Sequence, residues 1–239
     1  MLNAGPLLEQ LMLQESLSQT EAYSLFNSIM HGEQSEVVIA AVLTALKIKK
    51  ESPSEIAGAA SAMVANALPF PTPNYEFADI VGTGGDGHNT INISSAASVV
   101  AASCGIKVAK HGNRSVSSTT GSADVLEAAG VNLSLSPEQV QRCINEIGLG
   151  FMFAPAHHSA MKHAIGPRKE MGIRTIFNML GPMTNPANVQ NQVIGVFSPA
   201  LCRPMAEVLK RLGSQHVLVV HAELGLDEIS MSGNTFIAE

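Results

Sequence analysis

Tryptophan is absent from the 239 residues, and Phe and Tyr bring the aromatic share to only 4%. The interior must therefore be packed from Ala, Val, Ile, Leu and 11 Met, which with the few aromatics and cysteines make up 46% of the chain. So large an apolar share excludes an intrinsically disordered chain. Cysteine is scarce: Cys104, Cys143 and Cys202 are odd in number, far apart and outside any C-x-x-C. That excludes a disulfide framework and a thiolate zinc site, and points to the cytoplasm. Charge is scarce too, at 14%, and 20 carboxylates against 14 Lys and Arg leave a net −6. A general nucleic-acid binder is expected to be basic, so no nucleic-acid partner is expected. No apolar run approaches about 18 residues, and MLNAGPLLEQ lacks the basic and apolar regions of a secretory leader, so neither membrane nor secretion is expected. The 20 Gly and 12 Pro follow no G-X-Y period, which excludes a collagen-like chain.

What is there divides into two textures. Residues 1–68 read as a small helical domain. Ser18 with Glu21 and Ser52-Pro53-Ser54-Glu55 have capping-box spacing, and Val38, Val42 and Ala45 or Leu46 recur at helical spacing between Ser35 and Lys49. Pro69, Pro71 and Pro73 then mark residues 69–76 as a hinge or linker. From Phe77 short apolar runs alternate with helical segments: FADIV, a small-residue helix from Ser94 to Ser103, IKVAKHG, helices near Gly121 and after Ser136-Pro137, and strands near 150–154, 193–197 and 216–221. The fold class expected is α/β: a small N-terminal helical domain, then a larger domain over 77–239 with a mostly parallel sheet covered by helices. Some helices from the middle of the chain are open to joining the helical domain. NTFIAE reads as a sixth strand with nothing to close it, so the sheet is expected to be truncated at its C-terminal end.

Gly82-Thr83-Gly84-Gly85-Asp86-Gly87 follows the first strand and precedes a helix, where a sharp turn can aim several N–H groups at one anion. Phosphate is the expected guest, with a purely structural turn as the plain alternative. The spacing also fits a dinucleotide loop, but no acidic residue lies between Asp86 and Asp124 to hold a ribose. Asn89, Asn92, Ser94 and Ser95 at the mouth of the next helix could supplement the backbone donors or simply cap the helix. Lys107, Lys110, His111 and Arg114 form a basic cluster, with Lys110 near the carboxyl end of its strand, where ligands of open α/β sheets sit.

DIVGTGGDGHNTINISS, KHGNRSVSSTTGSADVLEAAG, FAPAHHSAMKHAIGPRKEMGIRTIFNMLGPMTNP and GLDEIS occur in the order expected of the anthranilate phosphoribosyltransferases of tryptophan biosynthesis, and the chain resembles that family over essentially its whole length. The resemblance implies a glycosyltransferase that moves the phosphoribosyl group of 5-phosphoribosyl 1-diphosphate to the amino group of anthranilate, with Mg²⁺ and without a covalent nucleophile. It assigns the diphosphate donor to Gly82, Gly84, Gly85, Asp86, Thr90, Asn92, Ser94, Ser95, Lys110 and Ser122. Anthranilate falls to Gly82, Asn113, His158, Arg168, Gly181 and Pro182, the arginine suiting its carboxylate. The metal falls to Ser94, Asp227 and Glu228. Adjacent carboxylates repel unless a cation lies between them and a ligand, and hard oxygen ligands suit Mg²⁺ bound to phosphates. Ser95 stands where the family more often has Thr, and Thr119 and Thr120 depart from its usual residues. The resemblance further implies a homodimer through the N-terminal helices, and relatives that run on past Glu239. Two alternatives remain at this point: a pyrimidine nucleoside phosphorylase-like enzyme, not expected to carry KHGNR with LGPMTNP, and a non-catalytic nucleic-acid-binding relative, against which the net charge stands.

Overall fold

The fold was obtained as a computed structural model that describes residues 2–88, 90–114 and 120–239. The chain divides into two compact units, each built from two stretches of sequence. The first comprises Met1–Ala67 with His158–Thr184, and the second Leu68–His157 with Asn185–Glu239.

In the first unit, helices Gly5–Met12 (α1), Gln19–Met30 (α2), Glu36–Lys49 (α3) and Pro53–Ala65 (α4) follow the start signals in the sequence. Ser18 Oγ accepts from Glu21 N–H at 3.2 Å while the Glu21 carboxylate accepts from Ser18 N–H at 2.8 Å, and Ser52 and Glu55 repeat the exchange at 3.3 and 2.7 Å. Each exchange satisfies N–H groups that the first helical turn leaves open. Glu55 also accepts from Leu17 N–H at 3.0 Å and pairs with Lys49 Nζ at 2.9 Å, so the fully buried carboxylate is compensated on every side. The alanine-rich α4 packs closely along α2, where a Cβ on Gly58 would lie 2.7 Å from that of Ala22. Helix Lys162–Met171 (which becomes α9 in chain order) packs on α3, and Phe177 meets Phe26 edge-on at 5.7 Å between ring centres.

The second unit is an α/β layer structure with a six-stranded sheet. In chain order it runs Ala78–Gly82 (β1), Ile93–Ser103 (α5), Val108–Gly112 (β2), Ser122–Ala128 (α6), Pro137–Ile147 (α7), Leu149–Phe153 (β3) and Ala154–His157 (α8). After α9 and Phe177–Leu180 (α10) of the first unit come Asn191–Gly195 (β4), Cys202–Arg211 (α11), His216–Ala222 (β5) and Thr235–Ala238 (β6). The strand order is β3-β2-β1-β4-β5-β6; the first five are parallel, and β6 joins β5 antiparallel. The mostly parallel sheet anticipated from the alternating texture is thus present, with NTFIAE supplying its edge. Phe70, Phe77, Ala109, Val140, Ile144, Met152, Ala187 and Val189 form a core cluster.

Residues 69–76 are not a free tether. Phe70 belongs to that core, the Pro71 carbonyl accepts from Gln141 Nε2 at 2.7 Å, and Tyr75 hydrogen-bonds Asn145. Burial of aromatic surface outweighs the linker-like proline spacing. Residues 158–184 pack with the N-terminal helices, an arrangement the sequence left open for helices from the middle of the chain. Among the described residues, no helix is long and apolar enough to cross a membrane.

Candidate functional site

Strands β1 and β4 are neighbours from which the sheet order departs in opposite directions, so the crevice at their carboxyl ends is the topological switch point where α/β folds bind ligands. The glycine loop leaves β1 at this point. Gly84 and Gly85 have φ of +64° and +79°, a left-handed backbone that only glycine adopts without strain. The loop folds over the turn that carries the acidic pair: Gly84 N–H donates to Asp227 Oδ2 at 2.9 Å, and His88 N–H donates to Asp86 Oδ1 at 3.1 Å.

Helix α5 begins in the same place. Asn92 is its N-cap residue; its Nδ2 donates to the Thr120 carbonyl at 3.2 Å and its Oδ1 accepts from Ser95 Oγ at 3.2 Å. The Ser94 backbone N–H opposes the upward shift of the Glu228 carboxyl, and Ser94 Oγ accepts from Lys110 Nζ at 3.2 Å. Lys110 rises from β2 beneath the loop, 2% exposed, and donates a second hydrogen bond to the Ile80 carbonyl at 2.6 Å. Thr90 is exposed on the approach to α5. Ser122 opens α6 and donates to the Asn113 carbonyl at 3.3 Å. Asn113 is exposed, its Oδ1 accepting from Arg114 N–H at 2.7 Å. Asn89 and Thr119 lie outside the described residues.

The electrostatics are those of crowded carboxylates beside one buried ammonium. Burial pushes the Glu228 carboxyl up to about 7, with the Asp227 and Asp86 charges adding to the shift and Lys110 opposing it. Burial also pushes the Asp227 carboxyl up, with Asp86 beside it in the same direction. Acids this crowded favour a cation that neutralises them. Among the described residues no group of three or more His, Cys, Asp and Glu forms a metal cage. The donor set therefore fits a hard cation that takes one or two carboxylates, a hydroxyl such as Ser94, and the remainder from water and a bound phosphate, which is the habit of Mg²⁺.

Of the basic cluster, only Lys110 faces this crevice. Lys107 donates to the Asn145 carbonyl at 3.0 Å, and Arg114 pairs with Asp124 at 3.0 Å and Glu127 at 2.7 Å while lying over the Phe153 ring. The sequence reading overlooked Asp79 and Asn185. The Asp79 carboxylate, 0% exposed, accepts from His111 N–H at 3.2 Å and from Asn185 Nδ2 at 2.9 Å, and Asn185 also donates to the Ala109 carbonyl. Burial raises Asp79 to about 6 and lowers Lys110, so for both groups desolvation outweighs their mutual attraction. The signal was an acidic residue inside the apolar run FADIV; Asn185 carried none.

The other expected residues belong to the helical unit. The His158 imidazole is buried and donates from Nε2 to the Thr184 carbonyl at 2.9 Å, which fixes the tautomer because a carbonyl only accepts. Thr184 in turn donates from N–H and Oγ1 to the Gly181 carbonyl at 3.3 and 3.2 Å, tying His158 to the turn that contains Pro182. Arg168, in the last turn of α9, lies with its guanidinium 5.1 Å from the Phe177 ring centre. Burial lowers its pKa, and no carboxylate pairs with it among the described residues. A stacked, half-buried, unpaired guanidinium is a ready partner for a planar carboxylate.

Comparison with known proteins bears on this geometry. Residues 5–67 match the model of the glycosyl transferase family helical bundle domain, and residues 74–239 that of the glycosyl transferase family a/b domain. The chain is 58% identical over 238 residues to an anthranilate phosphoribosyltransferase of Ectopseudomonas mendocina, covering 100% of this chain and 68% of that protein. Among solved structures, the anthranilate phosphoribosyltransferase of Thermus thermophilus superimposes with a TM-score of 0.90 at 46% identity, over 97% of this chain and 72% of that one. The Saccharomyces cerevisiae anthranilate phosphoribosyltransferase in complex with PRPP and Mg gives 0.84 at 30% identity, over 93% and 68%. Sharing sequence along its length and fold in both units, this chain belongs to the anthranilate phosphoribosyltransferase family.

Proposed function

We propose that the chain transfers the phosphoribosyl group of 5-phosphoribosyl 1-diphosphate to the amino group of anthranilate, releasing diphosphate, in tryptophan biosynthesis. The observation that carries this reading is the glycine loop at the β1/β4 switch point, closed over a turn with two carboxylates and underlain by the Lys110 ammonium. Loop N–H groups and Lys110 suit a diphosphate, and the acidic turn suits the cation that accompanies one.

In the reaction the bond from the anomeric carbon to the diphosphate oxygen breaks, the bond to the anthranilate nitrogen forms, and the ammonium so formed gives up one proton. Charge develops on the leaving diphosphate, and Gly82, Gly84, Gly85, Asn92, Ser94, Ser95 and Lys110 are assigned to it; a loop and helix start held in place before the reaction make such stabilisation effective. Held by Asp227, Glu228 and Ser94 together with the phosphates, Mg²⁺ supplies positive charge to the leaving group. Thr90 and Asp86 complete the donor site, and Ser122 holds the 5-phosphate end. Arg168 takes the anthranilate carboxylate, and His158, Gly181, Pro182 and Asn113 are assigned to the same acceptor, whose positioning lowers the entropic part of the barrier. An arylamine is neutral at pH 7, so no covalent nucleophile and no strong base are needed.

The chain works as a homodimer in the cytoplasm. Exposed Met12, Leu13, Val37 and Ile48 on the N-terminal helices support an apolar interface there, and three free cysteines support a reducing compartment. Sedimentation at micromolar concentration checks the dimer. Loss of anthranilate fluorescence on mixing with 5-phosphoribosyl 1-diphosphate checks the reaction: consumption that requires Mg²⁺ is expected, and a folded chain that consumes nothing overturns the reading. Asp227→Asn is expected to lower the rate at least about tenfold and raise the Mg²⁺ requirement, leaving the anthranilate KM near its original value.

A further inference from the structure

Two glycines stand side by side where β1 and β4 end. Gly82 is the register partner of Gly195, and Thr83 N–H donates to the Gly195 carbonyl at 2.9 Å. Neither glycine has a positive φ, so neither is needed for a backbone that other residues avoid. Glycine weakens a strand, and within one it marks a bulge or the close approach of something else. Here something else approaches. A Cβ built on Gly195 would overlap the carbonyl oxygen of Asp227, and one built on Gly82 would lie 2.9 Å from Asp227 Oδ2. The backbone of the acidic turn occupies the volume that a side chain at the end of β4 would fill.

We propose that Gly195, which has no side chain to offer substrate or metal, is a positioning residue: its missing Cβ seats the Asp227 backbone on the end of β4 and thereby sets where the Asp227 and Glu228 carboxylates stand. The inference rests on the function proposed above. From this seat Asp227 Oδ2 reaches Gly84 N–H at 2.9 Å, and Glu228 follows it directly in the chain. A methyl at 195 leaves β4 an acceptable strand, and the overlap is with backbone, which has no rotamer to yield. The turn must move instead, and a shift on the order of 1 Å in a positioned group is enough to cost about a hundredfold in rate.

The test compares the 239-residue chain with Gly195→Ala and Gly82→Ala by three readouts: circular dichroism, the melting shift given by 5-phosphoribosyl 1-diphosphate with Mg²⁺ and with EDTA, and the Mg²⁺ dependence of anthranilate consumption. Gly195→Ala is expected to keep the spectrum and the melting shift in EDTA, lose most of the extra shift given by Mg²⁺, and need about tenfold more Mg²⁺ or higher for half-maximal rate. Its anthranilate KM should change less than about twofold, because the displaced turn does not hold the acceptor. Gly82→Ala, whose methyl meets the flexible carboxylate and not the backbone, should move Mg²⁺ dependence in the same direction by less. A Gly195→Ala chain that titrates Mg²⁺ like the original overturns the positioning role alone. So does one that loses its spectrum, since glycine would then serve the sheet and not the turn. An unaltered chain that neither binds 5-phosphoribosyl 1-diphosphate nor consumes anthranilate overturns the proposed function itself.

Discussion

Asp79 is the residue whose chemistry departs furthest from its appearance in the sequence. A carboxyl raised to about 6 in the fold, against an ordinary value of 3.8, binds its proton more tightly folded than unfolded. The stability this gives is complete below about pH 4 and is lost as the pH rises through 6. Asp79→Asn has no such proton, so the original chain should hold an advantage over the variant that is larger by about 2 kcal/mol at about pH 4.5 than at about pH 7, read from paired urea titrations. Arg168 offers a second test, because the fork and plane that stack it on Phe177 are lost in lysine while the charge is kept. Arg168→Lys should raise the anthranilate KM about tenfold and leave that for 5-phosphoribosyl 1-diphosphate within about twofold. The lining of the β1/β4 crevice was largely legible as residue types in order, since glycines, small hydroxyls and an acid pair advertise phosphate and cation chemistry. Its supports were not. Asp79 is 32 positions from His111 and 106 from Asn185, and partners so distant leave no local pattern.

Elements were most legible where local chemistry decides them. Ser18, Ser52 and Ser136 each stand at the N-cap that their spacing announces, because capping is settled within about four residues. In the proline-rich 69–76 the three prolines describe the backbone but not what Phe70 packs against. Capping and burial should separate cleanly in α4. Ser52→Ala removes one acceptor at the helix start and should cost about 1 kcal/mol. Glu55→Ala strands the buried Lys49 ammonium and the Leu17 and Ser52 N–H groups, and should cost about 3 to 5 kcal/mol, both read from urea midpoints.

For the molecule as a whole, the acidic turn couples ligand binding to protons. Glu228 sits at about 7 without ligand and must be ionised to face a cation. Affinity for 5-phosphoribosyl 1-diphosphate with Mg²⁺ should therefore rise with pH and level off above about 7, with roughly half a proton released per chain at about pH 7. Calorimetry in two buffers of different ionisation enthalpy reads that number, and Glu228→Gln should lower it, leaving the smaller share of Asp227 and of the ligand's own phosphates. The two-unit arrangement also has a consequence in time. The helical unit needs His158–Thr184, which the ribosome delivers only after β1 through α8 of the α/β unit. At ordinary synthesis speeds, α3 waits on the order of 10 s for α9. During that interval the surface of α3 that α9 later covers stays open to water, so this part of the chain is exposed to non-native contacts while the rest is made.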